Sequence, residues 1–353
     1  MLAVGVACRS GPHFAPLPDD GTFAHAAPIP EALAHYRLAA EYSRARGGVA
    51  LVVVDGDRLV FADDENGHGG DDPRHVFSGT ASFGCALAVA AVADGRLDLE
   101  ERAAATLHEW QPDPRKSRIT VRQLLDDTSG LAQPFRELTV DGLRRHQHVR
   151  NKYAFAVGVP ATVDPGTTFR YGPAHLLAFG ALLKRKLAED PLAYLQRRVL
   201  TPIGFRTSWW SSDPAGNTML PWGAWTTALE WAKYGALVRD GGLWRGTRVL
   251  PSDGVAACLR GSAVMPAYGL TFWLNAPVGP RVSARAIPAL RGGGPTGFLY
   301  ADGPPDLFAA VGQHDNRMYV VPSRGLVIVR LGTGSRQWRD AEFLARVLDG
   351  RGG

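Results

Sequence analysis

The sequence predicts an α+β fold: one antiparallel sheet built from both chain ends, flanked by helices, with a mostly helical lobe inserted between them. Three observations carry this. Near the start, the β-rich runs Gly48–Val54 and Arg58–Phe61 flank Asp55-Gly56-Asp57, the pattern of a hairpin. Near the end, Arg317–Pro322 and Gly325–Leu331 flank Ser323-Arg324 as a second hairpin, and a closing helix follows over Arg336–Leu348. The residues between read mainly as helices separated by turns. The implied organisation is an arm over 1–29 and one domain over 30–350. Its sheet lobe comes from about 30–75 and 265–350, and its helical lobe from about 76–264. No solenoid-period repeat is present.

Composition is that of an ordinary folded chain, 45% apolar and 21% charged over 353 residues. The net charge of +5 is carried mostly by arginine. Basic stretches at Arg144–Lys152 and Lys184-Arg185-Lys186 read as solvated faces, because no nucleic-acid-binding motif accompanies them. Three cysteines, Cys8, Cys85 and Cys258, are too few for a disulfide framework, and Cys85 reads as a small buried thiol inside an apolar helix. No His/Cys cluster has metal-site spacing, and no apolar run is long enough to span a membrane. Met1–Cys8 is open to two readings. Either it is the tail of a lipoprotein signal ending at Cys8, implying a periplasmic or lipid-anchored protein, or it carries no targeting content and leaves the cytoplasm. The Pro/Gly-rich stretch Gly11–Pro30 reads as a tether.

Along the chain, a helix begins near Pro30. Val76–Phe83 opens an apolar helical stretch that exits at Gly95-Arg96-Leu97-Asp98-Leu99, with Ser78 at its start. A serine there places its own N–H among the unpaired donors of a helix start, where they can face an oxyanion. Thr120 suits an N-cap for a short helix that Gly130 would stop. The turn Asp164–Pro173 delivers Tyr171 to the lip of the helix that follows, Ala174–Leu187.

Taken in order, the segments Phe77–Leu99, Ile119–Leu131, Pro165–Leu187 and Tyr319–Leu331 resemble the serine β-lactamase-related family. So do Tyr194–Gly204, Trp231–Gly235 and Tyr268–Leu270. That family groups class C β-lactamases, D-alanyl-D-alanine carboxypeptidases, family VIII esterases and amide hydrolases acting on nylon by-products. The resemblance implies a β-lactamase/transpeptidase-like fold, an acyl-serine reaction on an ester, amide or β-lactam, a small-molecule or peptide substrate, and no cofactor or metal. It also fixes a register: the family serine precedes the helix-exit glycine by seventeen residues, as Ser78 precedes Gly95, whereas Ser82 is four residues late.

In that register Ala81 stands where the family's Ser-x-x-Lys motif has lysine. Tyr171 matches the second motif, and Pro173 removes an amide donor that an asparagine would supply to substrate. The third motif falls on Ala310–His314: its lysine or histidine is absent, Gly312 remains, and the N–H of Gln313 would join that of Ser78 as the oxyanion hole. His314 is a candidate replacement for the lost polar group. Lys184 and Lys186, far along the helix after Tyr171, are poor substitutes for the lysine. Three accounts of Ala81 stand open: an engineered change in an active hydrolase, a natural pseudoenzyme that binds without cleaving, and altered chemistry through Tyr171 and His314. Trp222, Trp225 and Trp273 are candidate cleft residues, and the loop from Arg291–Pro295 to Asp302–Pro305 is a candidate border.

Overall fold

The structure, a computed structural model, describes residues 22–68, 72–138, 149–279, 282 and 298–352. Met1–Cys8, Arg144–His148 and Arg291–Pro295, on which three of the sequence expectations fall, lie outside them. The early strands are β1 (Ala24–His25), β2 (Gly48–Asp55) and β3 (Arg58–Asp64). A small sheet of β4 (Arg74–His75), β5 (Trp209–Trp210) and β6 (Ala224–Thr226) follows, with a ribbon of β7 (Leu243–Trp244) and β8 (Thr247–Arg248). The late strands are β9 (Trp273–Leu274), β10 (Phe308–Val311), β11 (Arg317–Val321) and β12 (Leu326–Gly332).

The main sheet runs β1-β3-β2-β12-β11-β10-β9 and is antiparallel except for β1 against β3. Its two halves meet where β2 pairs β12, with Val54 opposite Val327 and Val52 opposite Val329. In β2 the residues before Asp55 are all buried, as a strand covered on both faces must be. The period of two then sorts them. Leu51, Val53 and Ile328 join one core with Tyr36, Phe343 and Leu344 of helices α1 (Pro30–Arg44) and α10 (Asp340–Asp349). Val52, Val54, Val327 and Val329 join the other, with Trp231 and Leu237. Both hairpins turn through glycines at positive φ, Gly56 (56°) and Gly325 (66°).

The remaining helices are α2 (Phe83–Ala93), α3 (Val121–Leu125), α4 (Phe135–Leu138), α5 (Lys152–Gly158), α6 (Pro173–Leu187), α7 (Pro191–Leu195), α8 (Ala228–Arg239) and α9 (Ser252–Cys258). Thr120 caps α3 through a reciprocal box with Gln123. That helix ends at Leu125 and not at Gly130, the chain turning at Asp127 with φ of 57°. Ser78 sits in a 3-10 turn, Phe77–Ser82, ahead of α2, where the sequence suggested the first turn of one continuous helix. The turn is closely packed, which is why glycines stand there: a Cβ on Gly79 would lie 2.6 Å from Trp231, and one on Gly312 would lie 2.0 Å from the Val76 carbonyl.

Cys85 is not a free thiol. It is bridged to Cys258, joining α2 to α9 across a sequence separation of 173 residues, a pairing no local pattern announces. Closing so long a loop restricts the unfolded chain. A Cys85→Ala/Cys258→Ala double variant is therefore expected to lose about 2–5 kcal/mol in denaturant unfolding. An unchanged midpoint and slope would show that the bridge adds nothing.

Candidate functional site

A cleft of about 1090 Å³ opens beside the end of β10, lined among others by Ser78, Tyr171, Gly312, Gln313, His314 and Arg317. Ser78 enters it from the 3-10 turn. In that winding side chains three apart eclipse, so the methyl of Ala81 shares a face with the Ser78 hydroxyl. Ala81 itself is packed into the core.

Tyr171 comes from the turn before α6, and its phenol shares the cleft with the Ser78 side chain, which lowers its pKa. Its ring rests against Trp273 (5.5 Å) and Tyr268 (6.3 Å). The turn is held in place by its neighbour: the Arg170 amide donates to the Asp127 carbonyl at 2.9 Å, and the Gly172 amide lowers the pKa of the Asp127 carboxyl. Burial pushes the Tyr171 phenol up to about 12. The Ser78 hydroxyl and the Arg317 guanidinium pull it down, and the Asp127 carboxyl opposes them. Asp127 is itself held well above the usual carboxylate range by burial and by Asp126 beside it.

The opposite wall is the turn Gly312–Asn316. Among the described residues, neither the Ser78 nor the Gln313 amide donates to another backbone carbonyl, so both remain as donors. Arg317, almost fully buried, is paired with Asp340 at 2.7 Å and donates to the Gly312 carbonyl at 2.8 Å. Asp340 also accepts from Tyr319 and, at 3.3 Å, from Trp338 Nε1.

A serine and a tyrosine in one cleft, set on a sheet made from both chain ends, define a comparison with known proteins. The Beta-lactamase family model matches residues 31–349. The chain belongs to the beta-lactamase family. Among solved structures, a penicillin-binding protein homologue from Caulobacter crescentus superposes with a TM-score of 0.66 at 14% identity, over 92% of this chain and 97% of that one. A family VIII carboxylesterase gives 0.65 at 16%, over 92% and 99%. A D-stereospecific amidohydrolase from a Streptomyces species gives 0.64 at 16%, over 92% and 100%. At these identities the likeness is one of fold. A curated relative, monacolin J acid methylbutanoyltransferase of Aspergillus terreus, is 28% identical over 153 residues, covering 38% of this chain and 37% of its own length.

Within this β-lactamase-family cleft the sequence expectations fare unevenly. Ser78, Tyr171, Gly312, Gln313 and His314 line it together. His314, at φ 59°, bonds the Thr333 carbonyl through Nδ1 (2.8 Å) and packs on Phe77. Ser82 is buried and donates to the Gly79 carbonyl at 2.7 Å, which leaves it no access to the cleft. Pro173 is buried as the first residue of α6 and does not line the cleft. The same holds for Trp222, Trp225 and Trp273: Trp222 and Trp273 are buried, and Trp225 stacks on His75. Trp338 lines the cleft instead. Lys184 bonds Asn217 (2.9 Å) and Lys186 pairs with Glu101 (2.8 Å), so neither reaches Tyr171.

Sequence reasoning missed Arg317, Asp127 and Trp338. The available signal for Arg317 was a cation opening an otherwise apolar strand, Arg317-Met318-Tyr319-Val320-Val321. Among the described residues no group of His, Cys, Asp and Glu could hold a metal, and no helix is long and apolar enough to cross a membrane.

Proposed function

We propose that this β-lactamase-family chain binds a small ester, amide or lactam in the cleft through its acyl carbonyl and does not turn it over at an enzymatic rate. One observation carries the reading: Ser78 shares the cleft with a phenol that is protonated at neutral pH, and a methyl stands where a lysine would serve. With the phenol at about 12, roughly 10⁻⁵ of the molecules hold it as phenolate at pH 7. For Ser78 to attack a carbonyl, its proton must pass to a base as the new C–O bond forms. Neutral Tyr171 can donate a hydrogen bond but has no free site for that proton. The amides of Ser78 and Gln313 would still receive the carbonyl oxygen, and the cleft volume suits a small ligand. The names of the relatives describe chemistry at an acyl carbon, which supports the ligand class and leaves its identity open.

The test uses a nitrophenyl ester and a chromogenic cephalosporin on the full chain and on Ser78→Ala. We expect saturable quenching of tryptophan fluorescence, since Trp338 lines the cleft, with equal and near-background hydrolysis by both proteins. Ser78-dependent turnover near ordinary enzyme rates, about 1–10³ s⁻¹, overturns the reading.

A further inference from the structure

We propose that Glu65 is a buried proton-binding site that governs, through Ser43 and Arg330, how firmly the cleft wall at His314 and Asp315 is held. The inference needs neither the placement of Ser78 nor the ligand class.

Glu65 directly follows β3 and is fully buried. Gly48 makes room for its carboxyl, since a Cβ there would lie 1.6 Å from Oε2. Oε2 accepts from the Ser43 hydroxyl of α1 at 2.7 Å. Oε1 is buried and meets no donor among the described residues. A carboxylate offers about four acceptor sites, and a single donor is supplied here. Ionised, Glu65 is a desolvated charge with most of its lone pairs unmet; protonated, it carries no charge to desolvate.

The same Ser43 hydroxyl accepts from Arg330 Nε at 3.1 Å, so it stands between the acid and a guanidinium. Arg330 is buried in β12 and, among the described residues, has no carboxylate within ion-pair distance. Its Nη2 donates to the Arg46 carbonyl (2.8 Å), and its Nη1 to the carbonyls of Asp315 (2.9 Å) and His314 (3.3 Å). Its plane lies 4.3 Å over Trp338. His314, Asp315 and Trp338 all line the cleft. His314 and Asp315 both lie at φ 59°, a conformation that is costly for residues with a Cβ, so this wall depends on the bonds that hold it.

Burial pushes Glu65 up to about 7; Ser43, Arg330 and Arg44 pull it down, and Asp63 opposes them. Burial lowers Arg330 only to about 10, with Asp315 and Glu65 raising it and Arg317 lowering it, so it keeps its charge at neutral pH. Loss of the Glu65 proton therefore sets a new negative charge one hydroxyl away from the guanidinium and draws it from the turn carbonyls toward Ser43. A carboxyl raised from 4.5 to about 7 holds its proton more tightly in the folded chain than in the unfolded one. Glu65 thus contributes stability in full below about 4.5, and that contribution is lost as pH rises through about 7.

The test is a titration of tryptophan fluorescence on the full chain between roughly pH 5 and pH 9, with Trp338 as the reporter beneath Arg330. The parent is expected to show a step centred at about 7. The step is expected to vanish in Glu65→Gln, which has no proton to lose, and in Trp338→Phe, which has no reporter. Unfolding in denaturant gives an independent reading: the parent midpoint is expected to fall relative to that of Glu65→Gln as pH rises from about 5 to about 8. Should Glu65→Gln fail to fold, Ser43→Ala serves instead. It deprives the carboxyl of its donor and is expected to move the step upward by at least about half a pH unit. A parent without the step overturns the proposal, as does an unmoved step in Ser43→Ala or a step that persists in Trp338→Phe. A step of parental midpoint in folded Glu65→Gln overturns it too, since the titrating group is then another, His314 first among them.

Discussion

Ala81→Lys is expected to raise Ser78-dependent ester hydrolysis by at least about a hundredfold. Disabling a nucleophile–base unit costs several orders of magnitude, and restoring the base should recover a part of that. The new ammonium would lie on the face it shares with the Ser78 hydroxyl and would favour the phenolate of Tyr171, now held up at about 12. Opposing this are the size of lysine and the desolvation of its charge, because Ala81 is only 6% exposed. We place the gain near the low end for that reason. The check is kcat/KM on a nitrophenyl ester, with Ala81→Lys/Ser78→Ala as control and circular dichroism to verify the fold. A folded variant that gains nothing would show that more than the lysine has been lost, with Asp127 beside Tyr171 as the first suspect.

Asp340→Ala is expected to be the most destabilising of the single substitutions considered, by about 3–5 kcal/mol, or roughly 4–7 °C in Tm. The carboxylate receives Arg317 Nε at 2.7 Å, Trp338 Nε1 at 3.3 Å and the Tyr319 hydroxyl, all buried. Removing it strands a desolvated guanidinium, and the penalty for that charge exceeds what the pair contributes when whole. The variant should also loosen the cleft, since Arg317 holds the Gly312 carbonyl. Differential scanning calorimetry reads the first effect. A Tm within 2–3 °C of the parent would mean that Arg317 finds another partner.

The parts of this molecule that could be read from sequence are those written in local or strictly spaced signals. Asp55-Gly56-Asp57 between β-rich runs marks a hairpin because glycine supplies the positive φ the turn needs. Thr120 and Gln123 announce their helix start by a spacing of three. Ser78 is located by its distance from Gly95, which does not require knowing how the intervening residues wind; that is why its position could be read while its 3-10 conformation could not. The remainder depends on tertiary neighbours. The close neighbours of that turn, Trp231 and Gly312, are far away in sequence. Cys85 and Cys258 meet only once α2 and α9 are packed. Arg317 and Arg330 sit in strands where arginine reads as a solvent-facing residue, and their burial follows from carbonyls in a turn that no pattern connects to them.

The pairing of β2 with β12 has a consequence for synthesis. β12, the strand at the middle of the sheet, is synthesised after every other strand it joins. Until it arrives, β2 has an unpaired edge, and the loop that must close runs from residue 55 to residue 326. The edge of β2 therefore stays open while the intervening helices are made, an interval in which pairing with another chain is the characteristic hazard.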